Sequence, residues 1–453
     1  MLMGNRVEFV DLMLGAQFAG VHLAPINWHL TPEEVHYILE DSQARAYFVD
    51  PELSTDPECA QAQCPTLTVG PELDDVLDSL DATPLPLDSP AGTPLLYTSG
   101  TTGHPKGIVR PGTQTIAESL GFLAEAAVSF HMTGTGPHLV SGPMYHGSPY
   151  GFASMELNIG ASILVMPRFD ATQMLDLIME REVRTTHLVP VMMTRLLELS
   201  EARRAAFDPS PLSCVLHGAA PVSVDVKRRM IEWWGPRLVE YWGSSEGGAY
   251  CVATSDEWLD HPGTVGKPVP RYEIFAVDEE GNPLGPGEVG LLLCRNTLDE
   301  EPFRYWNAPD KTQSAYHGPG TFTVHDMGSI DAEGYVYLSD RASDMIISGG
   351  VNIYPAEVEA VLIAHPSVSD VAVFGIPDDE WGESVKAIVQ PTLGSTGDPA
   401  LEREILDWAR QHIAGFKLPR SIDFQAELPR EENGKLYKRK LREPYWEGHE
   451  RRI

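Results

Sequence analysis

Between residues 95 and 241 the chain alternates two periodicities, and few folds accept that alternation. Residues 161–166 form an apolar run of strand length, and 171–181 repeat their apolar residues at helical spacing. Residues 186–189 read as strand, 191–199 as helix, and 213–216 as strand again. A helix is expected over 223–234 and a strand over 238–241. Parallel strands need long crossovers, so strands spaced by helices predict βαβ units and a largely parallel sheet covered on both faces. Ligands of such sheets bind beyond the carboxyl ends of the strands. The Gly/Ser-rich loops that follow these strands are therefore expected to converge on one crevice.

From about residue 272 the pattern turns β-rich, with segments at 272–277 and 290–294. Residues 285–290, Gly-Pro-Gly-Glu-Val-Gly, match G-x-G-x-x-G but precede a strand. A dinucleotide loop must open a helix to set a pyrophosphate at its N-terminus, so this stretch reads as a hairpin turn. A domain boundary is expected near 340–344. Beyond it the pattern is small α+β: helix 355–363, strands 371–374 and 385–390, helix 401–413.

At 453 residues the chain exceeds one ordinary core, so two or more domains are expected. Its formal net charge of −32 argues against nucleic acid or an anionic membrane as main partner. An anionic ligand then depends on local Lys, Arg and backbone N–H groups. Cys59, Cys64, Cys214, Cys251 and Cys294 are odd in number and scattered, which reads as reduced thiols in a cytoplasmic protein. Nothing near Cys59 and Cys64 completes a metal site. No apolar run approaches the ~20 residues of a membrane span. Glu8 and Asp11 interrupt the apolar start, so no signal peptide is expected.

Residues 97–107 read Tyr-Thr-Ser-Gly-Thr-Thr-Gly-His-Pro-Lys-Gly. Such a loop offers hydroxyls and unhindered N–H groups to a phosphate, and Lys106 adds a point charge. It is not a Walker A loop, because Lys106 is followed by Gly107 rather than Ser or Thr. On composition alone a surface turn is the competing reading. Further blocks follow: 143–147 (Pro-Met-Tyr-His-Gly), 217–221 (His-Gly-Ala-Ala-Pro), 240–247 (Glu-Tyr-Trp-Gly-Ser-Ser-Glu-Gly), 323–326 (Thr-Val-His-Asp), 348–357 and 429–435 (Pro-Arg-Glu-Glu-Asn-Gly-Lys).

Together, in this order, the blocks resemble the adenylate-forming superfamily of acyl-CoA synthetases, luciferases and nonribosomal adenylation domains. The resemblance covers nearly the whole chain and implies an α/β protein. A large N-terminal domain of layered α/β subdomains with a small β-rich subdomain spans 1–340, 341–345 form a hinge, and 346–453 form a small mobile α+β lid. It also implies roles. Thr98, Ser99, Gly100, Thr101, Thr102, Gly103 and Lys106 close over the β- and γ-phosphates of ATP. His146 lies by the acyl pocket. Gly218, Ala219 and Ala220 lie against adenine, with Tyr241, Trp242 and Gly243 nearby. Ser245 meets the α-phosphate, and Glu246, with Thr98, serves Mg²⁺. Asp326 holds the ribose hydroxyls and Arg341 reaches ribose or phosphate, the alternative being an ion pair of Arg341 with Asp326 or Asp340. Gly349 and Gly350 make room for the pantetheine arm of CoA, and Lys435 is the catalytic lysine.

Three departures stand out. His325 replaces the usual glycine of a Thr-Gly-Asp block. Ser343, beside Asp344, occupies the hinge position that usually holds Asp or Lys. The family pattern also starts well ahead of Met1, so the first helices of one subdomain are expected to be missing. The implied reaction is activation of a carboxylic acid as acyl-AMP, then thioester formation with CoA. Residues 147–153 contain no acid to bind an α-amine, which favours a non-amino acid, fatty or aryl. Loading of a carrier protein, or a truncated copy that binds nucleotide without turnover, are the alternatives. A homodimer is left open.

Overall fold

Five short apolar strands adopt the parallel pairing that their helical spacers require. In space they run Ile163–Val165, His138–Val140, Thr185–Leu188, Cys214–His217, Leu238–Ser244. The sheet continues antiparallel through Gly248–Thr254 and Lys267–Pro268. Strands His138–Val140, Thr185–Leu188 and Cys214–His217 are buried along their whole length, as strands covered on both faces must be. The computed structural model describes all residues except 54–63, 82, 84, 99–104, 111–114, 342–343, 349–350, 379–380, 393–394, 396, 431–435 and 448–453, and except the side chains of Glu72, Asp340 and Arg341.

The covering helices start at side-chain caps and present apolar stripes. Asp170 accepts from the Gln173 N–H at the head of Ala171–Glu180, and Ser223 accepts from Val226 N–H at the head of Val224–Trp234. Such caps satisfy N–H groups that have no partner within the helix. Gly235, at φ 78°, ends the second helix. Met174, Leu175, Ile178, Met193, Leu196, Met230 and Trp234 then close on Leu139, Leu188, Val215 and Leu238 in one core.

The phosphate-loop candidate departs from the expectation. Its preceding strand, Leu96–Thr98, is not part of the parallel sheet. It pairs antiparallel with Lys106–Val109, which pairs with Arg304–Tyr305 in a separate three-stranded sheet. Lys106 thus lies on a strand, directly opposite Thr98. The described ends of the candidate loop are two paired antiparallel strands, not a strand and a helix. The strand passes unseen in the sequence because four residues beginning Lys-Gly carry no alternation.

Tyr272–Val277 and Gly290–Asn296 form an antiparallel hairpin, and Gly287 within its turn has φ 81°. This is the G-x-G-x-x-G stretch, and it opens no helix. The hairpin belongs to a β-rich sheet with Thr321–Phe322, Asp326–Ile330 and Val336–Arg341. The next strand, Ile346–Ser348, belongs to a different sheet with Val351–Ile353, Gly382–Pro391, Val368–Asp378 and Ser421–Phe424. Helices Pro355–Leu362 and Pro399–Arg410 bury Val358, Leu362, Ile405 and Ala409 against it.

Trp234 is fully buried in the main core and touches Phe207 and Trp233 edge-on or tilted. Trp234→Ala is expected to cost about 3–5 kcal/mol. A urea titration checks this as a drop in the midpoint.

Candidate active site

The turn between Leu238–Ser244 and Gly248–Thr254 projects from the end of the sheet and is braced from three directions. Ser244 Oγ lies 2.6 Å from the Tyr250 hydroxyl and accepts from the Glu246 N–H at 3.1 Å. The Tyr272 hydroxyl donates to Gly247 O at 2.7 Å. Arg110 donates through Nε to Ser245 O at 3.1 Å and through Nη2 to Ser244 O at 3.4 Å. A Cβ on Gly243 would stand 2.2 Å from Gly248 O, so only glycine permits this close pairing.

The braced turn fixes Ser245 and Glu246 at the wall of a continuous cavity of about 2930 Å³. Glu246 Oε1 accepts from the Tyr305 hydroxyl at 3.2 Å, and Lys106 Nζ lies 5.2 Å from the Tyr305 ring centroid. Tyr305 thus holds the carboxylate on one side and the lysine on the other. Thr98 and His146 also line the cavity. A Cβ on Gly147, next to His146, would lie 3.7 Å from Ser245 Oγ, which places the head of Gly147–Asn158 against the turn. Mg²⁺ takes one or two carboxylates and shares the rest of its shell with phosphate and water. Among the described residues no group of three or more His, Cys, Asp or Glu gathers. A lone cavity-facing Glu246 near Lys106 fits a magnesium ion that arrives with phosphates.

One residue before Gly243, the Trp242 indole N–H donates to Asp326 Oδ2 at 2.8 Å. Asp326 begins its strand after a sharp bend. His325 has φ 62°, the left-handed conformation that favours glycine. The histidine therefore keeps the backbone that glycine would supply. Thr323 Oγ accepts from the His325 N–H at 2.9 Å and donates to Leu292 O at 3.0 Å, pinning the bend. Asp326 also pairs across strands with Arg341 by backbone register.

On the opposite wall, Ala219 and Ala220 line the cavity, and Ala219 also has positive φ, 67°. A Cβ on Gly218 would come within 2.6 Å of Tyr241 O and 2.9 Å of its ring. The 218–220 backbone is thus pressed flat on Tyr241, a surface a purine can lie against. Behind it, Lys227 and Glu240 form a buried ion pair, with Lys227 Nζ 4.7 Å from the Trp258 ring centroid. Burial alone lowers the Lys227 ammonium and raises the Glu240 carboxyl, while their contact opposes both shifts. His217 lies 3.9 Å from Glu240 and is fully buried; burial, then the Lys227 charge, keeps it neutral.

Tyr241 faces an aromatic pocket with Phe152 at 5.3 Å and Phe130 at 6.0 Å. Its hydroxyl donates to Ser148 Oγ at 2.7 Å and lies 3.0 Å from His187 Nε2. Burial, then the His138 charge, lowers His187 to about 3, so its ring is neutral at pH 7.

The structure thus brings Thr98, Lys106, His146, Ala219, Ala220, Tyr241, Trp242, Gly243, Ser245, Glu246 and Asp326 to one cavity. Ser99, Gly100, Thr101, Thr102, Gly103, Gly349, Gly350 and Lys435 lie outside the described residues, as does the Arg341 side chain. The base of the 431–435 loop is described. Arg430 and Leu436 form a β-bridge, and Arg430 grips Asp370 through Nε and Nη2 at 2.5 and 2.7 Å. Arg430 and Leu436 line the same cavity. Arg110, Ser148, His187 and Tyr305 were not singled out from the sequence. Tyr305 reaches Glu246 only through pairing of distant strands.

A large cavity under a two-sheet junction, lined also by a second α+β unit, defines a nucleotide-dependent enzyme of the adenylate-forming class. The chain belongs to the AMP-binding enzyme family, whose profile matches residues 1–298, with the AMP-binding enzyme C-terminal domain matching 357–435. It is 32% identical over 472 residues to the fatty acid–[acyl-carrier-protein] ligase ScoC of Streptomyces coeruleorubidus, covering 99% of this chain and 88% of that one. It is 32% identical over 459 residues to the long-chain-fatty-acid–CoA ligase FadD13 of Mycobacterium tuberculosis, covering 98% and 87%. ATP-bound MatB from Rhodopseudomonas palustris superposes with a TM-score of 0.83 at 29% identity, covering 98% and 88%. The apo form of MatB gives 0.72.

Trp242→Phe removes the indole donor to Asp326 while keeping a flat ring. It is expected to raise the KM for ATP roughly 10-fold or more, because hydrogen bonds to charged groups are the strong ones. Steady-state kinetics at saturating acid check it. His325→Gly relieves the left-handed backbone and is expected to stabilise the fold by up to about 1 kcal/mol, the relief being partly offset by glycine entropy. A thermal melt with an unchanged or raised midpoint is the expected outcome.

Proposed function

We propose that this protein activates a non-amino carboxylic acid with ATP, giving acyl-AMP and pyrophosphate, and then transfers the acyl group to the thiol of CoA. The observation that carries the reading is that Trp242 with Asp326, Tyr305 with Glu246 and Lys106, and the Ala219–Ala220 backbone all line one cavity. The one acid in the described helix Gly147–Asn158, Glu156, is buried and accepts from Thr185 Oγ at 2.6 Å, so it is not offered to a substrate amine.

In the first half-reaction the acid carboxylate attacks the α-phosphorus in line. The protein's work is positioning and charge neutralisation. Asp326 accepts from the two ribose hydroxyls, and the 218–220 backbone backs the base. Ser245 and Lys106 face the phosphates, and Glu246 is the carboxylate that holds Mg²⁺. The ion supplies charge neutralisation on the phosphate oxygens. Lys435 meets the α-phosphate; the described residue ahead of its segment, Arg430, is clamped by Asp370. The better match to ATP-bound than to apo MatB supports a lid placed for adenylation.

In the second half-reaction the thiol sulfur bonds to the acyl carbon and the C–O bond to AMP breaks. We infer that 1–340 and 346–453 turn about 341–345 between the halves, withdrawing Lys435 and bringing in Gly349 and Gly350. A carrier-protein thiol is the second reading, favoured by the likeness to ScoC. Among the described residues no helix is long and apolar enough to cross a membrane. Cys214, Cys251 and Cys294 are free and buried, which supports a reducing, cytoplasmic setting.

Acid-dependent and CoA-dependent AMP release tests the whole reading. Pyrophosphate exchange that needs acid but ignores CoA favours the carrier protein. Lys435→Ala is expected to cut acyl-AMP formation by about 10²-fold or more. The same variant should spare thioester formation from supplied acyl-AMP. Equal loss in both steps contradicts that role.

A further inference from the structure

The helix Ile116–Ser129 turns one face to the cavity. Phe122, Glu125, Ala126 and Ser129 line it at helical spacing, and Phe130 continues the stripe. At the inner end Phe130 meets Phe152 at 5.1 Å and Tyr241 at 6.0 Å. At the outer end the Arg271 guanidinium lies 5.2 Å from the Phe122 ring centroid. The two ends are eight residues apart, or about 12 Å along the helix.

Arg271 lines the cavity, and its Nε is enclosed with no hydrogen-bond partner. Arg110 also lines the cavity and is solvent-accessible there. Two of its nitrogens hold the carbonyls of Ser244 and Ser245, which leaves Nη1 uncommitted to that brace. Among the described residues neither arginine forms a salt bridge. The surrounding walls lower the Arg110 guanidinium, and the charge of Arg271 adds to that cost. Two acids are near. Glu246 acts favourably on Arg110, but its Oε1 is held by Tyr305. Glu125 faces the cavity without pairing to either arginine. Two partly desolvated guanidiniums without a counter-ion, in a chain of charge −32, leave an anionic ligand to supply one.

We propose that Arg110 and Arg271 receive a second carboxylate, carried by the acid substrate in addition to the carboxyl that is adenylated. The inference rests on the acyl-adenylate reading and names its substrate class, a dicarboxylic acid with an apolar or aryl middle. Guanidinium forks match carboxylates in a way that lysine does not. The aromatic stripe between the two ends suits the apolar middle.

The test measures acyl-adenylate formation by pyrophosphate release, with full-length protein, ATP and Mg²⁺ and without CoA. The acids are linear dicarboxylic acids matched to about 12 Å, their equal-length monocarboxylic acids and the corresponding ω-amino acids. The diacid is expected to exceed the monoacid in kcat/KM by ~10-fold or more, since the monoacid leaves both guanidiniums unpaired. Arg271→Met should pull that ratio toward one, through the diacid KM. Arg110→Lys, which keeps the charge but loses the fork, should lower the ratio part of the way. A structural role would depress both acids alike and leave the ratio unchanged, which overturns the proposal. So does preference for the monoacid or the ω-amino acid, or an effect of Arg271→Met confined to the KM for CoA. Pyrophosphate release with monoacids alone refutes the dicarboxylate and leaves the acyl-adenylate reading standing. No release with any acid refutes both.

Discussion

One strand crosses two cores, and the site depends on that crossing. Leu238 is packed among the helices of the parallel sheet, Val239 and Tyr241 face the aromatic pocket, and Trp242 is buried with residues of the β-rich sheet. Alternation of side chains along a strand puts neighbours on opposite faces. Here it sends Tyr241 toward Phe130 and Phe152 and Trp242 toward Asp326. Any slip of one residue would exchange them. Gly243 excludes the slip locally, because only at that position can the backbone approach Gly248 so closely.

The turn that follows is rigid for a chemical reason. Phosphate chemistry needs charges and dipoles already in place, so that nothing must reorganise as charge moves. Tyr250, Tyr272 and Arg110 tie down the three-residue turn 245–247 that carries Ser245 and Glu246 at the cavity. Strain is held nearby in the same spirit. Ala219 and His325 both adopt positive φ without glycine, and both lie on the cavity wall.

Much of the fold was legible because period 2 and period 3.6 separate cleanly between residues 161 and 241. The strand expected at 186–189 is Thr185–Leu188, and the helix expected at 223–234 is Val224–Trp234 with Ser223 as its cap. The hairpin strand Lys106–Val109 was missed because a four-residue strand opening with Lys-Gly carries too little pattern. The site was legible in its motifs and not in its braces. His325 looked like a lost glycine, whereas the structure shows that the glycine-like backbone is what persists. Tyr305, His187 and Arg271 join the cavity through tertiary packing between segments that share no local signal.

A crystal structure with a non-hydrolysable acyl-adenylate analogue tests the central claim most directly. The account predicts the adenine flat on residues 218–220, both ribose hydroxyls on Asp326 and the phosphate-mimicking group beside Ser245. An analogue bound with its ribose away from Asp326, or its base off the 218–220 backbone, contradicts it.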